Sequence, residues 1–497
     1  MIKGIEAAGL GLMAALARGA ALDRRVVLNE CLLDAEVPVN MPGSEEWELD
    51  LSSHNERVKY NPVAIAVPTT ADHIQAAVSC GAKAGIKVTP KAGGHSYASL
   101  GLGGEDGHLV IQLDRMYKVK LDTETNIATV DAGTRLGHLA TELVGVSGHV
   151  LHGGFGFSSH THGLALDWVN GMTVVLANST VVHASETENS DLFWAMLGAG
   201  SNFGVVTSYE FKTFEAPENV TWFIATLPWQ KSTAVAGLEA LEDFTRNTMA
   251  AELNMRVVGT ARTTQIEGSY HGDEAGLRAA IDPFLQKIGG RLVRARTENW
   301  IKSLEHYANA KLDQTHPYKQ AEESFYAKSL QLTGLNGTAA QNFVDYWFDV
   351  ARGVDRIWYF QLDMHGGQHS SVSQVNTETT SYAHRDKLFL MQFYDRNIFG
   401  PYPDDGFSFL DGWVSKTTAP LAPSDWGMYI NYADTSLNRT TAQHVYWGKN
   451  LARLQTLKAK FDPEELFYYP QSINPVPEKE ASGKFKKDAI DLERYRQ

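Results

Sequence analysis

The chain has 497 residues, 43% apolar and 21% charged, a globular composition with length for two or three domains. Its formal charge of −14 argues against a nucleic-acid partner, which needs a basic face, and no apolar run reaches the ~18 residues that a membrane span requires.

Residues 1–21 hold Lys3, an apolar run from Ala7 to Ala17 and a small-x-small site at Ala15 and Ala17, the layout of a secretion signal, with Glu6 and Arg18 departing from it. Export would place the two cysteines, Cys31 and Cys80, in an oxidising compartment, where an even, minimal count suggests one disulfide; in a cytosolic chain they would be two buried thiols. Asn178, Asn219, Asn336 and Asn438 each head an N-x-S/T triplet, which fits an exported glycoprotein.

From Ala64 the pattern alternates. "AIAVP" reads as a buried strand, and "TTADHIQAAVSCGAKAG" as a helix capped by Thr70, with Ile74, Ala77 and Val78 on one face and Gly85 ending it. "IKVTP" is a second strand and runs into the glycine loop "KAGGHSYASLGLGG", where His95 sits at a strand end beside whatever the loop holds. "HLVIQLDRM" and "IATVDAGTRLGHLATEL" add strand and one short helix, and "GMTVVLANSTVVHAS" reads as a hairpin turning at Ala177 to Ser179. Two more glycine clusters, "GHVLHGGFGFSSHTHG" and "LGAGSNFG", suggest that something long is wrapped, since glycine weakens elements unless close approach requires it. No G-x-G-x-x-G opens a helix with an acid some twenty residues on, which disfavours a nicotinamide site. Beyond Pro217 longer helical patterns such as "AVAGLEALEDFTRNTM" take over; "AQHVYWGKNLARLQTLKAKF" then returns an amphipathic helix toward the first domain, and the tail from 477 is charged and expected to be disordered.

In order, "GGHSY", "GHVLHGGFGF", "THGLALDWV", "DLFWAMLGAGSNFGVVT", "AHRDKLFLMQFYD" and "MYINYAD" resemble the berberine-bridge-enzyme-like branch of the vanillyl-alcohol-oxidase superfamily, closest to its fungal glucooligosaccharide-oxidase group. The resemblance implies an α+β fold: a two-subdomain FAD-binding domain over 22–216, a substrate domain over 217–445 with an antiparallel sheet covered by helices, and a return to the FAD domain over 446–476. It implies FAD bound covalently through His95, with Gly93, Gly94, Ser96, Gly148, Gly153, Gly154, Gly156 and Val205 around it, no metal, and a Cys31–Cys80 disulfide. The group also carries a second flavin-linking cysteine before its "VGVGGH"-like run; here "ATELVGVSGHV" passes from Leu143 to Val144 directly, and that cysteine and its strand are missing.

For the chemistry, the resemblance gives Tyr432 of "NYAD" as the base, with Asp363 of "QLDMHGG" accepting its proton or holding it as phenolate. A tyrosine of ordinary pKa near 10 needs such a partner. Tyr429 is the competing candidate, which strand alternation would turn to the other face. Sugar contacts are expected from Tyr97, Arg256, Glu323, Tyr359, Gln361 and Gln392; Tyr359 stands where the group has tryptophan, and Val258 where it has an acid. The expected activity is that of a secreted, monomeric oxidase that takes the reducing-end C1 hydroxyl of a gluco- or xylo-oligosaccharide to the lactone and reduces O2 to H2O2. An oxidase of a secondary metabolite and a non-catalytic product of the shortened gene are the other readings.

Overall fold

The computed structural model describes residues 24–135, 147–309, 311–312, 323–398 and 400–477. The leader-like segment, the junction at Leu143–Val144 with the short helix read there, and the tail from 478 lie outside them.

Ala64–Ala66 is buried at every position, as befits an inner parallel strand. Helix Ala71–Ala84 follows, capped by Thr70, which accepts the His73 amide at 3.2 Å, and closed by Gly85 at φ 62°. Strands Ala64–Ala66, Leu109–Gln112 and Val88–Lys91 lie side by side in parallel, with Val39–Asn40 antiparallel at the edge. Cys31, on the helix over 24–34, is disulfide-bonded to Cys80 on helix Ala71–Ala84, closing a loop with a sequence separation of 49. A second sheet is antiparallel and runs Val119–Asp122, Ile127–Asp131, Val205–Lys212, Val169–Val175, Val181–Ser185; its last two strands are the expected hairpin.

The third sheet has eight antiparallel strands among the described residues, in the order Arg291–Glu298, Val220–Thr226, Thr264–Tyr270, Leu253–Thr260, Ile357–Met364, Phe389–Arg396, Phe325–Leu332, Trp426–Gly427. One face is apolar: Phe223, Val257, Ile266 and Phe360 are buried, and Phe343 of helix Gly337–Asp349 meets Phe360 edge-on at 5.1 Å. The alternate residues Val258, Gln265, Tyr359 and Gln361 are only half-buried, so the other face stays partly open. Register aligns that face into rows: Asp363 pairs with Arg256, Arg256 with Glu267, Glu267 with Ile224 and Ile224 with Arg294.

The expected single C-terminal helix is two, Arg439–Trp447 and Leu451–Phe461, broken at Gly448–Asn450. It does pack against the first sheets. The buried Lys458 donates to the Asn202 carbonyl at 2.7 Å, and the Ile473 amide donates to Asn202 Oδ1 at 2.8 Å.

Candidate active site

The loop that carries His95 is anchored from below. Lys91, at the end of its strand, is buried and donates to the carbonyls of Asp50 at 2.5 Å and Ser52 at 2.9 Å, and burial lowers its ammonium pKa to about 8. Gly94 takes φ 69°, and Ser96 Oγ accepts the Leu100 amide at 3.2 Å. The His95 side chain remains open to solvent at its edge, with the His54 ring 4.9 Å away. Desolvation first, then His54 and Arg135, bring the His95 pKa down to about 4, so its imidazole is neutral with a free lone pair at neutral pH.

Residues 54–57, which no periodicity marks, tie this loop to the eight-stranded sheet. Asn55 Nδ2 donates to the Tyr97 carbonyl at 2.7 Å, His54 and Glu56 pair through their backbones with Glu323 at 3.0 Å each, and Arg57 donates to the Phe325 carbonyl and to Thr435 Oγ1, both at 2.8 Å.

The second glycine run folds against the segment that carries the tyrosines. Gly153, at φ 135°, lies so close to Tyr429 that a Cβ there would stand 2.9 Å from its ring. Tyr429 Oη accepts from the amides of Gly154 at 2.9 Å and Phe155 at 3.3 Å, and from Asn431 Nδ2 at 2.9 Å. The expectation from strand alternation is corrected here. Strand Trp426–Gly427 has ended and Ile430–Tyr432 is a 3-10 turn, so the Tyr429 and Tyr432 rings meet edge-on at 5.3 Å instead of facing apart. The third glycine cluster is also corrected. Its close approach is to protein: Gly198 faces Ser381 and Tyr382, Gly200 faces Leu151, and Gly204 faces Val174 and Val175. Val205 is wholly buried in its strand and presents no side chain to a ligand.

The open sheet face brings the other expected residues together. Tyr432 stacks on Tyr97 at 5.5 Å, and Tyr97 Oη accepts from Gln392 Nε2 at 2.7 Å. Gln392 pairs with Gln361, and Tyr359 with Tyr394, whose rings stack at 4.9 Å. Glu323 accepts from Tyr394 Oη and from Arg396 at 2.6 Å. Arg256 gives Nε to Glu267 at 2.7 Å and reaches Gln361 at 3.3 Å, with Phe157 under its guanidinium at 4.6 Å. Tyr394 lies two residues beyond Gln392 in one strand, and period two alone would have found it. Glu267 and the 54–57 segment carry no comparable signal.

Asp363 is 5% exposed, and its Oδ2 has no hydrogen-bond partner among the described residues. Burial lifts its carboxyl to about 7; Arg256 pulls it down and Glu267 pushes it up. Arg256 is already bonded to Glu267, which explains why its charge does not return Asp363 to the ordinary carboxylate range. Tyr432 is driven well above its usual value by desolvation, then by Asp363, Tyr97 and Tyr429, so a free phenolate is disfavoured. Burial raises the Tyr97 phenol to about 12.

The residues around the glycine loops fit a bound flavin nucleotide. Ser99 Oγ and Thr134 Oγ1 are buried without hydrogen-bond partners among the described residues, and a Cβ at Gly148 or Gly156 would meet no described atom within 4 Å. Residues 62–185 match the family described as "FAD binding domain", and residues 428–474 the one described as "Berberine and berberine like". The chain is 52% identical over 474 residues to a xylooligosaccharide oxidase of Thermothelomyces thermophilus, covering 91% of this chain and 95% of the relative. It is 44% identical over 488 residues to a glucooligosaccharide oxidase of Sarocladium strictum, covering 93% and 97%. The structure of a xylooligosaccharide oxidase from Myceliophthora thermophila C1 in complex with xylobiose superposes with a TM-score of 0.89, over 90% of this chain and 99% of that one, at 52% identity.

Fold and site thus define an FAD-linked oxidoreductase of the α+β, two-domain vanillyl-alcohol-oxidase type. Within that class the chain belongs to the berberine-bridge-enzyme-like oxidases. The Cys31–Cys80 disulfide expected from the resemblance is present, and the 2 cysteines of the sequence are both used in it.

Proposed function

We propose that this oxidase is secreted and converts the reducing-end C1 hydroxyl of gluco- or xylo-oligosaccharides to the lactone, with O2 reduced to H2O2. The observation that carries the reading is the buried carboxyl of Asp363, whose Oδ2 has no hydrogen-bond partner among the described residues, near Tyr432 at the edge of a half-open face of tyrosines and glutamines. When bound, FAD supplies the hydride acceptor and the route of electrons to O2. His95 is its covalent link: the imidazole is neutral and accessible, and no cysteine is left to form a second one.

Tyr432 takes the C1 hydroxyl proton. Because desolvation first and then Asp363 raise its phenol, the tyrosine acts as a relay, passing its own proton toward Asp363 as it gains the substrate's; the two make no direct hydrogen bond among the described residues, so a water or the substrate has to bridge them. Tyr97 stacks on Tyr432 and fixes its ring, while Gln392 fixes Tyr97. Gln361, Arg256, Glu323 and the Tyr359–Tyr394 stack offer more polar and aromatic contact than one sugar ring uses, which favours an oligosaccharide. The relatives named for oligosaccharide oxidation, one structure of which holds xylobiose, support the same class.

The test is peroxide release across a chain-length series from glucose or xylose to the tetraoses. The KM is expected to fall as rings are added while kcat changes little. A flat series, or no turnover by protein that is visibly yellow, would turn the assignment toward a different alcohol.

A further inference from the structure

The open face that carries Asp363 does not end at Arg256. Its row continues across paired neighbours through Glu267 and Ile224 to Arg294, on the edge strand Arg291–Glu298. Residues directly opposite in an antiparallel sheet share a face, so Arg294 projects from the face that bears Asp363. Four strand-to-strand steps put it about 19 Å away. There the surface forms a hollow of about 400 Å³ lined by Trp222, Arg294, Ala295, Arg296 and His306.

Three features of this hollow go beyond an edge strand guarded against self-pairing. The Trp222 and His306 rings stack at 3.8 Å and 9°, forming an aromatic wall, and Trp222 Nε1 is held by Glu298 at 3.0 Å. Arg296 is braced by the same Glu298 at 2.9 Å, whereas Arg294 is exposed and has no ion pair among the described residues. Finally, the hollow is basic in a chain whose formal charge is −14. That overall charge disfavours a densely charged polyanion, so the chemistry suited to the hollow is an isolated carboxylate on a largely neutral chain, with a ring face to lay on the aromatic wall.

We propose that the hollow is a remote subsite for a uronic acid unit carried by the oligosaccharide whose reducing end is oxidised at Asp363 and Tyr432. The proposal rests on the oxidase reading for the identity of the chain and on the hollow alone for the carboxylate. Gln265, half-buried in the adjoining row and paired with Val258 and with Thr226, lies on the route between the two. A disaccharide bound at Asp363 would not reach it.

Two measurements separate the proposal from the reading beneath it. In affinity electrophoresis through gels containing glucuronoxylan, or the same polymer with its carboxyls reduced to alcohols, the protein should be retarded by the acidic polymer only. The retardation should fade at about 0.5 M salt, a concentration chosen to shorten the Debye length below about 5 Å, and be lost in the Arg294→Gln/Arg296→Gln double variant. In peroxide assays, xylotetraose bearing one glucuronic acid should show a KM about three- to tenfold below plain xylotetraose, the range for one or two partly exposed charge pairs. The double variant should bring that ratio to one. Equal retardation by both polymers, or a preference for acid that survives the double variant, overturns the subsite. Acid-specific, arginine-dependent retardation by a protein that oxidises neither sugar would uphold the subsite and remove the oxidase reading instead.

Discussion

Replacing Asp363 by asparagine should make the protein more stable and nearly inactive at once. The carboxyl is 5% exposed and lifted from the usual 3.8 to about 7, a difference of roughly 3 units or about 4 kcal/mol. Its folded-state pKa lies above its unfolded one. Between pH 4 and 7 the folded chain therefore keeps a proton that the unfolded chain has released, and stability falls as pH rises across that window. Above 7 the whole penalty is present. The substituted amide carries no charge at any pH, so Asp363→Asn should gain up to about 4 kcal/mol at pH 8 and little at pH 4. With an unfolding entropy of ~2.1 cal/mol/K per residue, that is about 4 °C in Tm. Arg256 keeps Glu267 as partner, at 2.7 Å, and limits the cost of losing the neighbouring carboxylate. Calorimetry of wild type and variant at the two pH values reads the effect. Stopped-flow flavin reduction should rise in the wild type through pH about 7 as Asp363 ionises, and in the variant should be pH-independent there and roughly a hundredfold slower. If the variant's gain in Tm is the same at pH 4 and pH 8, Asp363 ionises normally in the folded protein and the proton-relay argument fails with it.

Other substitutions probe the remaining parts. His95→Ala should release yellow flavin into the supernatant on acid precipitation, whereas the wild type keeps its fluorescence in the pellet; free flavin from the wild type would end the claim of a covalent link. Tyr432→Phe should slow flavin reduction by about a hundredfold or more with binding spared. Tyr429→Phe should leave that step nearly intact, because its hydroxyl is already taken up by Gly154, Phe155 and Asn431. Opposite results for the two tyrosines would exchange their roles. Removing the disulfide with Cys31→Ser and Cys80→Ser should cost about 4 kcal/mol in denaturant unfolding, the chain-entropy value for a loop of this size; no change in midpoint would contradict it.

Much of the site could be read from the chain because it lies in regular structure. Gln361 and Asp363 are two apart in one strand, and Tyr359 extends the same face, so their convergence follows from period two once the strand is recognised. The helix Ala71–Ala84 was equally legible from its cap and its apolar stripe. What could not be read was irregular or depended on partners distant in sequence. Tyr429 precedes and Tyr432 ends a 3-10 turn that has no alternation to follow. The glycines at 198, 200 and 204 signalled close approach correctly, but sequence does not say whether protein or ligand does the approaching. Residues 54–57 act through partners distant in sequence, 42 positions away for Asn55 on Tyr97 and 268 for Arg57 on Phe325, and no local pattern encodes that.

The strap over residues 54–57 has a consequence for engineering. It bonds the His95 loop at Tyr97, the eight-stranded sheet at Phe325 with Glu323 just before it, and the tyrosine segment at Thr435. A chimera that takes its eight-stranded sheet from one oxidase and its FAD-binding domain from another would divide these partners between two parents. That sheet is therefore not a cassette that can be exchanged by itself: the four-residue strap has to travel with it, although it lies far from that sheet in sequence.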